Sequence, residues 1–222
     1  MNKRMRHSLA DRCMHWGNAL LWLLLFFSGA GLLQGGLAPF GDGYTAAVRK
    51  LAGGGSGLLR LHIILGCVWM GIFSLYIALN AKSAASFLRE IFSVRPGDLI
   101  WLRRKPAIML LGEHRAAALG FETKLPPQGF YNMGQKAFGM LSVTAGVTLV
   151  ATGLIMATGF APPGFAGWCV TIHYIACGLT LAGLLVHLYM TLAVPEERPG
   201  LKSMFSGSVP EDYAKHHHAN WE

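Results

Sequence analysis

Residues 171–194 read T-I-H-Y-I-A-C-G-L-T-L-A-G-L-L-V-H-L-Y-M-T-L-A-V, an apolar run that carries two histidines, His173 and His187. The run exceeds the ~20 residues that a helix needs to cross a bilayer. A helix turns ~100° and rises ~1.5 Å per residue, so the two rings point to nearly the same face, roughly 21 Å apart. Ionisable side chains inside a membrane are costly and usually functional. We therefore expect each imidazole to bind a ligand, one near each side of the hydrocarbon.

The composition of the whole chain is typical of a membrane protein. Of its 222 residues, 53% are hydrophobic and only 14% are charged, and the mean hydropathy is +0.41. Ordinary soluble domains are less apolar. The sequence predicts an all-α membrane protein, a four-transmembrane-helix bundle that forms a single integral-membrane domain over residues 1–222. The predicted spans are 16–38, 58–80, 134–158 and 168–194.

The net charge of +8 is unevenly distributed, and its placement predicts the orientation. Lys and Arg concentrate before the first span, in the loop 81–133 and in the tail 195–222, whereas the connection 159–167 has no charge. By the positive-inside rule, both termini and the loop 81–133 are cytoplasmic, in a multi-pass protein of the bacterial inner membrane. Alternating apolar and basic residues in that loop predict amphipathic helices on the membrane surface. Nucleic-acid binding is excluded, because the basic residues have no soluble domain to carry them.

Two further histidines match the first two in depth. His15 begins the first span on the cytoplasmic side, and His62 lies about one turn inside the outer end of the second span. Depth matching predicts two pairs, His62 with His173 on the outer side and His15 with His187 on the inner side. Each pair can offer one neutral nitrogen to either face of a haem iron. Six-coordinate iron has no open position, so it suits electron transfer.

Other cofactor chemistries fit the sequence less well. The four cysteines form neither C-x-x-C nor C-x-x-C-H, which excludes covalent haem attachment and makes buried thiols the expectation. An alternative of another class is a membrane transporter that uses histidines to carry metal ions or protons. Such transporters normally add Asp or Glu within their spans, and the predicted spans have neither.

Several short segments carry a resemblance to a known family. They are D-R-C-M-H-W at 11–16, L-R-L-H-I-I-L-G at 59–66, Y-N-M-G-Q-K at 131–136, I-H-Y-I-A-C-G at 172–178, V-H-L-Y-M-T at 186–191 and A-K-H-H-H-A-N-W at 214–221. In this order and spacing, over nearly the whole length, the chain resembles the cytochrome b (gamma) subunit of membrane-bound, quinone-reducing formate dehydrogenases.

The resemblance implies two haem b groups with the histidine pairs given above. It also implies a menaquinone pocket, or one for ubiquinone, at the cytoplasmic end beside the inner haem. The residues that match the family's quinone pocket are Asn132, Gly134, Gln135 and His187. The quinone would take its protons from the cytoplasm, and the subunit would have no substrate-oxidising site of its own.

The resemblance further implies an assembly. Electrons would arrive from a periplasmic iron–sulfur (beta) subunit, which a molybdenum or tungsten catalytic (alpha) subunit feeds during anaerobic respiration, and the whole complex would form a higher oligomer. Relatives of this kind also serve thiosulfate reductases and hydrogenases, and the Gly-rich outer loop departs from the family pattern. The donor therefore stays open between these oxidoreductases.

Three adjacent histidines, His216, His217 and His218, lie in the tail. A solvated polar tail is the expectation for them, because no matching metal ligands cluster nearby in the sequence. A proton relay to the quinone is a second hypothesis for the same residues.

Overall fold

The computed structural model describes residues 2–221, and of Pro163 the backbone alone. In chain order its helices are α1 (Leu9–Leu32), α2 (Gly41–Leu51), α3 (Gly55–Leu79), α4 (Ala81–Phe92), α5 (Pro96–Leu111), α6 (Glu113–Ala118), α7 (Met133–Thr158), α8 (Pro163–Ala193), α9 (Arg198–Ser206) and α10 (Glu211–His217). Two short strands, β1 (Lys3–Met5) and β2 (Ser208–Pro210), pair with each other.

Four of these helices, α1, α3, α7 and α8, are long and apolar enough to cross a membrane. The predicted fold class, an all-α membrane protein with four such helices, is confirmed. Outward-facing apolar side chains are exposed along them; on α8, for example, Ile175, Leu179 and Val186 are more than half exposed. Such a surface can face lipid, because its side chains are apolar and each helix satisfies its own backbone polar groups.

The first helix differs from the predicted span 16–38 at both ends. It begins at Leu9, before the apolar run, and it ends at Leu32. Gly35 adopts a φ of +58°, outside the right-handed helical region, and starts a separate 3-10 turn over Gly35–Leu37. Glycine takes this conformation without the penalty of a Cβ, so the chain leaves the helix here.

The chain divides into two compact units. The first unit comprises the residues before Leu9, together with Lys82–Thr144 and the chain from Leu181 onward. The second unit comprises Leu9–Ala81 and Ala145–Thr180. Helices α7 and α8 contribute residues to both.

Within the second unit, α1 packs against α2 and α3. A Cβ added to Gly31 would lie 2.9 Å from Leu58 Cδ2, so the absence of a side chain permits the close approach. Arg49 of α2 donates from Nε to Gly31 O at 3.0 Å and from Nη2 to Leu32 O at 2.9 Å. These bonds satisfy carbonyls that the end of α1 would otherwise leave unpaired.

Polar side chains also join α1 to α3. Trp69 Nε1 donates to Asn18 Oδ1 at 2.9 Å, and Tyr76 OH donates to Asp11 Oδ1 at 2.5 Å. Both donors lie on α3. Hydrogen bonds of this kind help to fix the register of two largely apolar helices.

Within the first unit, the N-terminal leader, residues 2–8, is joined to the C-terminal tail, residues 195–221. Strands β1 and β2 are antiparallel, with Arg4 opposite Val209, which is fully buried. Arg6 follows β1 and donates from Nη2 to Phe130 O at 2.6 Å. The leader, the tail and the loop 81–133 therefore form one packed body.

A buried ion pair joins α5 to α7 in the same unit. Lys136 Nζ lies 2.8 Å from Asp98 Oδ2, and the two side chains are 2% and 5% exposed. Lys136 also donates to Ser93 O at 2.8 Å, and Asp98 accepts from Arg95 N at 2.9 Å. The additional hydrogen bonds matter, because a buried ion pair is tolerated only when its remaining polar atoms are satisfied.

Candidate functional site

His62 on α3 and His173 on α8 lie side by side within the second unit. Their ring centroids are 6.3 Å apart and their planes are inclined by 66°. The arrangement is edge-to-face, which is also an ordinary contact between two aromatic rings. The positions of the ring nitrogens decide what such a pair can bind.

Ser28 on α1 fixes the tautomer of His62. Its Oγ lies 2.9 Å from His62 Nδ1 and 3.1 Å from Leu25 O. Both contacts are satisfied together when Ser28 donates to Leu25 O and accepts from His62 Nδ1–H. In that tautomer the lone pair of the neutral imidazole lies on Nε2, where it can bind a metal ion.

Thr152 on α7 does the same for His173. Its Oγ1 lies 2.8 Å from His173 Nδ1 and 2.7 Å from Thr148 O. Both of these contacts are satisfied together when Thr152 donates to its own helix and accepts from His173 Nδ1–H. The same tautomer, with the lone pair on Nε2, therefore suits both histidines of the pair.

The spacing of the two rings fits an iron between them. A metal–imidazole bond is about 2 Å long and the ligating nitrogen lies about 1 Å from the ring centre, which sets two such rings roughly 6 Å apart. The observed separation is 6.3 Å. A Cβ built on Gly66, one turn after His62, would meet no described side chain within 4 Å, so α3 has open space at this position.

A glycine follows each hydroxyl residue and touches the same histidine. A Cβ added to Gly29 would lie 3.2 Å from His62 Cε1, and one added to Gly153 would lie 3.5 Å from His173 Cε1. Neither Ser28 nor Thr152 was predicted to be a partner of a histidine. Each is followed by glycine, but this dipeptide would not have singled them out, because it also occurs at Ser56–Gly57, Thr158–Gly159 and Ser206–Gly207.

The other two histidines have different surroundings. His187 stacks on Phe138 within the first unit, with ring centroids 4.9 Å apart and planes 16° apart. A Cβ on Gly183 would lie 3.0 Å from Phe138 Cδ2, so this glycine makes room for the stacked ring. His15 lies on α1 in the second unit, edge-on to Trp16 at 5.2 Å. The pairing of His15 with His187 stays a prediction.

The predicted quinone segment forms the start of α7. Asn132 N donates to Gln135 Oε1 at 3.1 Å, and Gln135 N donates to Asn132 Oδ1 at 2.9 Å, which is a reciprocal capping box. The cap uses both side-chain oxygens as acceptors, and the side-chain amide nitrogens are the groups that could donate to a ligand carbonyl. A Cβ on Gly134 would lie 3.3 Å from the Trp101 ring, which explains the glycine. The quinone role stays a prediction.

The expectation of a solvated tail is wrong for His218. This residue is 1% exposed, and its Nδ1 donates to Gly129 O at 2.8 Å. Burial, and then the neighbouring Arg6 guanidinium, lower the pKa of His218 to about 4. His216 is exposed and His217 is half-buried. Across residues 2–221, no group of three or more His, Cys, Asp and Glu side chains is arranged to hold a metal ion.

Comparison with known proteins agrees with these observations. The family described as "Prokaryotic cytochrome b561" matches residues 6–207. The "Formate dehydrogenase, cytochrome b556 subunit" of Haemophilus influenzae is 24% identical over 220 residues, covering 97% of this chain and 81% of that protein. The "Formate dehydrogenase, cytochrome b556(fdo) subunit" of Escherichia coli K12 is 23% identical over 227 residues, covering 97% and 90%.

The family match covers the four long helices and nearly all of the chain between the leader strand and β2. The resemblance drawn from the short sequence segments is confirmed. This chain is a multi-pass membrane protein that belongs to the prokaryotic cytochrome b561 family.

Proposed function

We propose that this chain is the dihaem b-type cytochrome subunit of a formate dehydrogenase-like complex, which carries electrons across the membrane to a quinone. The observation that carries the proposal is the His62/His173 pair, two imidazoles with ring centroids 6.3 Å apart, each with Nδ1 within 2.9 Å of a hydroxyl oxygen. Relatives named as cytochrome b556 subunits support it.

Haem iron held by two histidines supplies one-electron transfer and has no open position for oxygen chemistry. In this chain His62 and His173 would hold one haem, and His15 and His187 would hold the second. The hydroxyls of Ser28 and Thr152 would keep the first pair of ligands neutral. Phe138 would hold the plane of the His187 ring by stacking on it.

The quinone would bind at the start of α7. Asn132 and Gln135 would donate amide N–H bonds to its carbonyl oxygens, and Gly134 would leave room beside the buried Trp101 ring. His187 would lie at the same end of the membrane. The capping box supports this role because it fixes both amide side chains in one conformation before a ligand arrives.

The sidedness of the reaction follows from the charges. The pairing of β1 with β2 supports a common side for both termini, and the positive-inside rule makes that side cytoplasmic. Electrons would enter from a periplasmic iron–sulfur subunit, fed by a molybdenum or tungsten catalytic subunit, and protons would be taken up inside. Moving one charge against ~100 mV requires ~2.3 kcal/mol, so the donor must be a stronger reductant than the quinol by that margin.

The test is the haem content and the partners of the purified complex. We expect two haem b groups per chain by pyridine haemochrome, and one group in His62→Ala and in His173→Ala. The exposed His114 gives the matched control, and His114→Ala should keep both. Mass spectrometry of the copurified subunits then identifies the donor.

Two results would count against the proposal. A colourless, folded protein would exclude a cytochrome and favour the transporter hypothesis. Copurification with a hydrogenase or thiosulfate reductase would keep the haems and replace the formate dehydrogenase-like donor.

A further inference from the structure

We propose that Ser28 and Thr152 are positioning residues of an iron site. Their hydroxyls hold His62 and His173 in the tautomer that ligates iron, and they set the planes of the two rings. The inference rests on the proposed function, because it requires a haem between these two histidines.

The same arrangement occurs twice, on two different helices. Ser28 and Thr152 are each 7% exposed, and each donates its one proton to a carbonyl three or four residues earlier on its own helix. Each then has only lone pairs to offer the histidine. Two independent helices that present an acceptor to Nδ1–H at 2.9 and 2.8 Å indicate a shared requirement of the two rings.

The requirement comes from the tautomers of imidazole. A neutral ring carries its proton on one nitrogen and its lone pair on the other. An acceptor beside Nδ1 favours the Nδ1–H form, which leaves Nε2 free to bind the metal. Without an acceptor, the Nδ1–H form carries an unsatisfied donor in an apolar interior, and the Nε2–H form cannot ligate.

A hydroxyl also has an advantage over a carboxylate in this position. An Asp or Glu within a membrane span would bring a charge into the hydrocarbon, where charged side chains are costly. A carboxylate would also pull harder on the Nδ1 proton and make the ligand more basic, which stabilises ferric iron. The neutral hydroxyls therefore keep the ligands neutral and the reduction potential of the iron less negative.

A backbone carbonyl lies beside each hydroxyl. Leu25 O is 3.1 Å from Ser28 Oγ, and Leu149 O is 3.3 Å from Thr152 Oγ1. Removal of one hydroxyl therefore leaves a carbonyl oxygen near the vacated position. We expect a graded loss of haem and a changed ring plane, rather than complete loss of the site.

The decisive variant is Thr152→Val in the purified complex, since valine keeps the shape and removes the acceptor. Thr152→Ser restores the hydroxyl. Thr180→Val is the matched control, because Thr180 is equally buried and its Oγ1 donates to Ala176 O of its own helix at 2.8 Å. The three readouts are haem retained per chain during detergent challenge, the midpoint potential, and the low-spin ferric EPR signal, which depends on the angle between the ligand planes.

In Thr152→Val we expect about a 10-fold loss of haem affinity at one site, at the lower end of the usual effect of such outer-shell changes. The potential of that haem should shift to more positive values and its EPR signal should change. Thr152→Ser and Thr180→Val should match the parent protein. Ser28→Ala should change the same haem in the same direction.

The outcomes separate the inference from the proposed function. If His173→Ala lacks one haem and Thr152→Val matches Thr180→Val in all three readouts, the inference is wrong and the proposed function stands. If His173→Ala keeps both haems, no haem lies at this pair, and both are wrong.

Discussion

The two units bury different kinds of polar side chain. In the first unit the buried polar residues include both members of the Lys136–Asp98 ion pair, as well as Arg6 and His218. In the second unit, among the residues that the structure describes, they are all Ser or Thr: Ser28, Thr45, Thr152 and Thr180.

The difference shows how each unit satisfies its polar groups. The hydroxyls of Ser28, Thr152 and Thr180 donate to carbonyls of their own helices, so they bring no unpaired donor into the apolar interior. A charge needs an opposite charge and several further hydrogen bonds, as Lys136 and Asp98 have. Uncharged hydroxyls are therefore suitable hydrogen-bond partners for the histidines of the second unit. Substitutions that change charge should have their largest effects on stability in the first unit.

The largest expected effect is on the buried ion pair. Asp98→Asn leaves the Lys136 ammonium, which is 1% exposed, without its counter-charge. Removing one partner of a buried pair costs about 3–5 kcal/mol of stability. Thermal unfolding in detergent should show this loss, and Glu211→Gln, which breaks the exposed pair with Lys215, should show no measurable change. Equal stability of the two variants would contradict a special role for buried charge in the first unit.

The next effect is a dependence on pH. The pKa of His218 falls from its ordinary 6.5 to about 4 on burial. Its contribution to stability is therefore complete above pH 6.5 and is lost as the pH falls toward 4, because the unfolded chain takes up a proton that the buried ring does not. The slope is about 1.4 kcal/mol per pH unit.

The variant His218→Asn tests this slope, since its amide can still donate to Gly129 O but does not titrate. Unfolding measured between pH 4 and 7 should lose the slope in His218→Asn and keep it in His216→Asn, because His216 is exposed. A slope that survives in His218→Asn would assign the pH dependence to another group.

A smaller effect is expected at the two glycines that lie beside His62 and His173. A Cβ at Gly29 would lie 3.2 Å from His62 Cε1, which is tighter than an ordinary contact, whereas one at Gly153 would lie 3.5 Å from His173. We expect Gly29→Ala to displace the ring and lower haem affinity by about 10-fold, the size of an outer-shell effect. Gly153→Ala should keep its haem. Haem titration of the two variants makes the comparison, and the reverse order of affinities would show that the glycines do not limit the ring positions.

The smallest effect concerns the stacked ring in the first unit. Phe138→Leu keeps an apolar side chain but removes the stack on His187, which is worth about 0.5–1.5 kcal/mol for aromatic pairs. We expect a decrease in stability of that size and a spectral change in one haem. Phe92→Leu, at an exposed position on α4, serves as the control and should change neither.

The sequence is sufficient to predict the four long helices, and it draws attention to four histidines as candidate ligands. Long apolar runs identify the helices, and an ionisable residue within such a run is conspicuous. The hydroxyls were not predicted, because a helix that is apolar on all sides does not indicate which face meets which neighbour. Ser28 and Thr152 acquire a role only when α1 and α7 are rotated toward His62 and His173.

The burial of the tail could not be predicted either. Residues 3–5 pair with residues 208–210, and each strand is too short to show an alternating pattern. Three adjacent histidines have no period, so nothing local distinguishes the buried His218 from the exposed His216. The start of α7 could be predicted in part. Its polar residues indicate a helix start, and the structure adds the reciprocal hydrogen bonds between Asn132 and Gln135.

The pairing of β1 with β2 has a consequence for biosynthesis. The leader strand leaves the ribosome long before its partner, and all four long helices are made in the interval. Throughout membrane insertion, the edge of β1 therefore has no native strand beside it. Only a chain translated as far as β2 can close the sheet, so closure follows the synthesis of all four long helices.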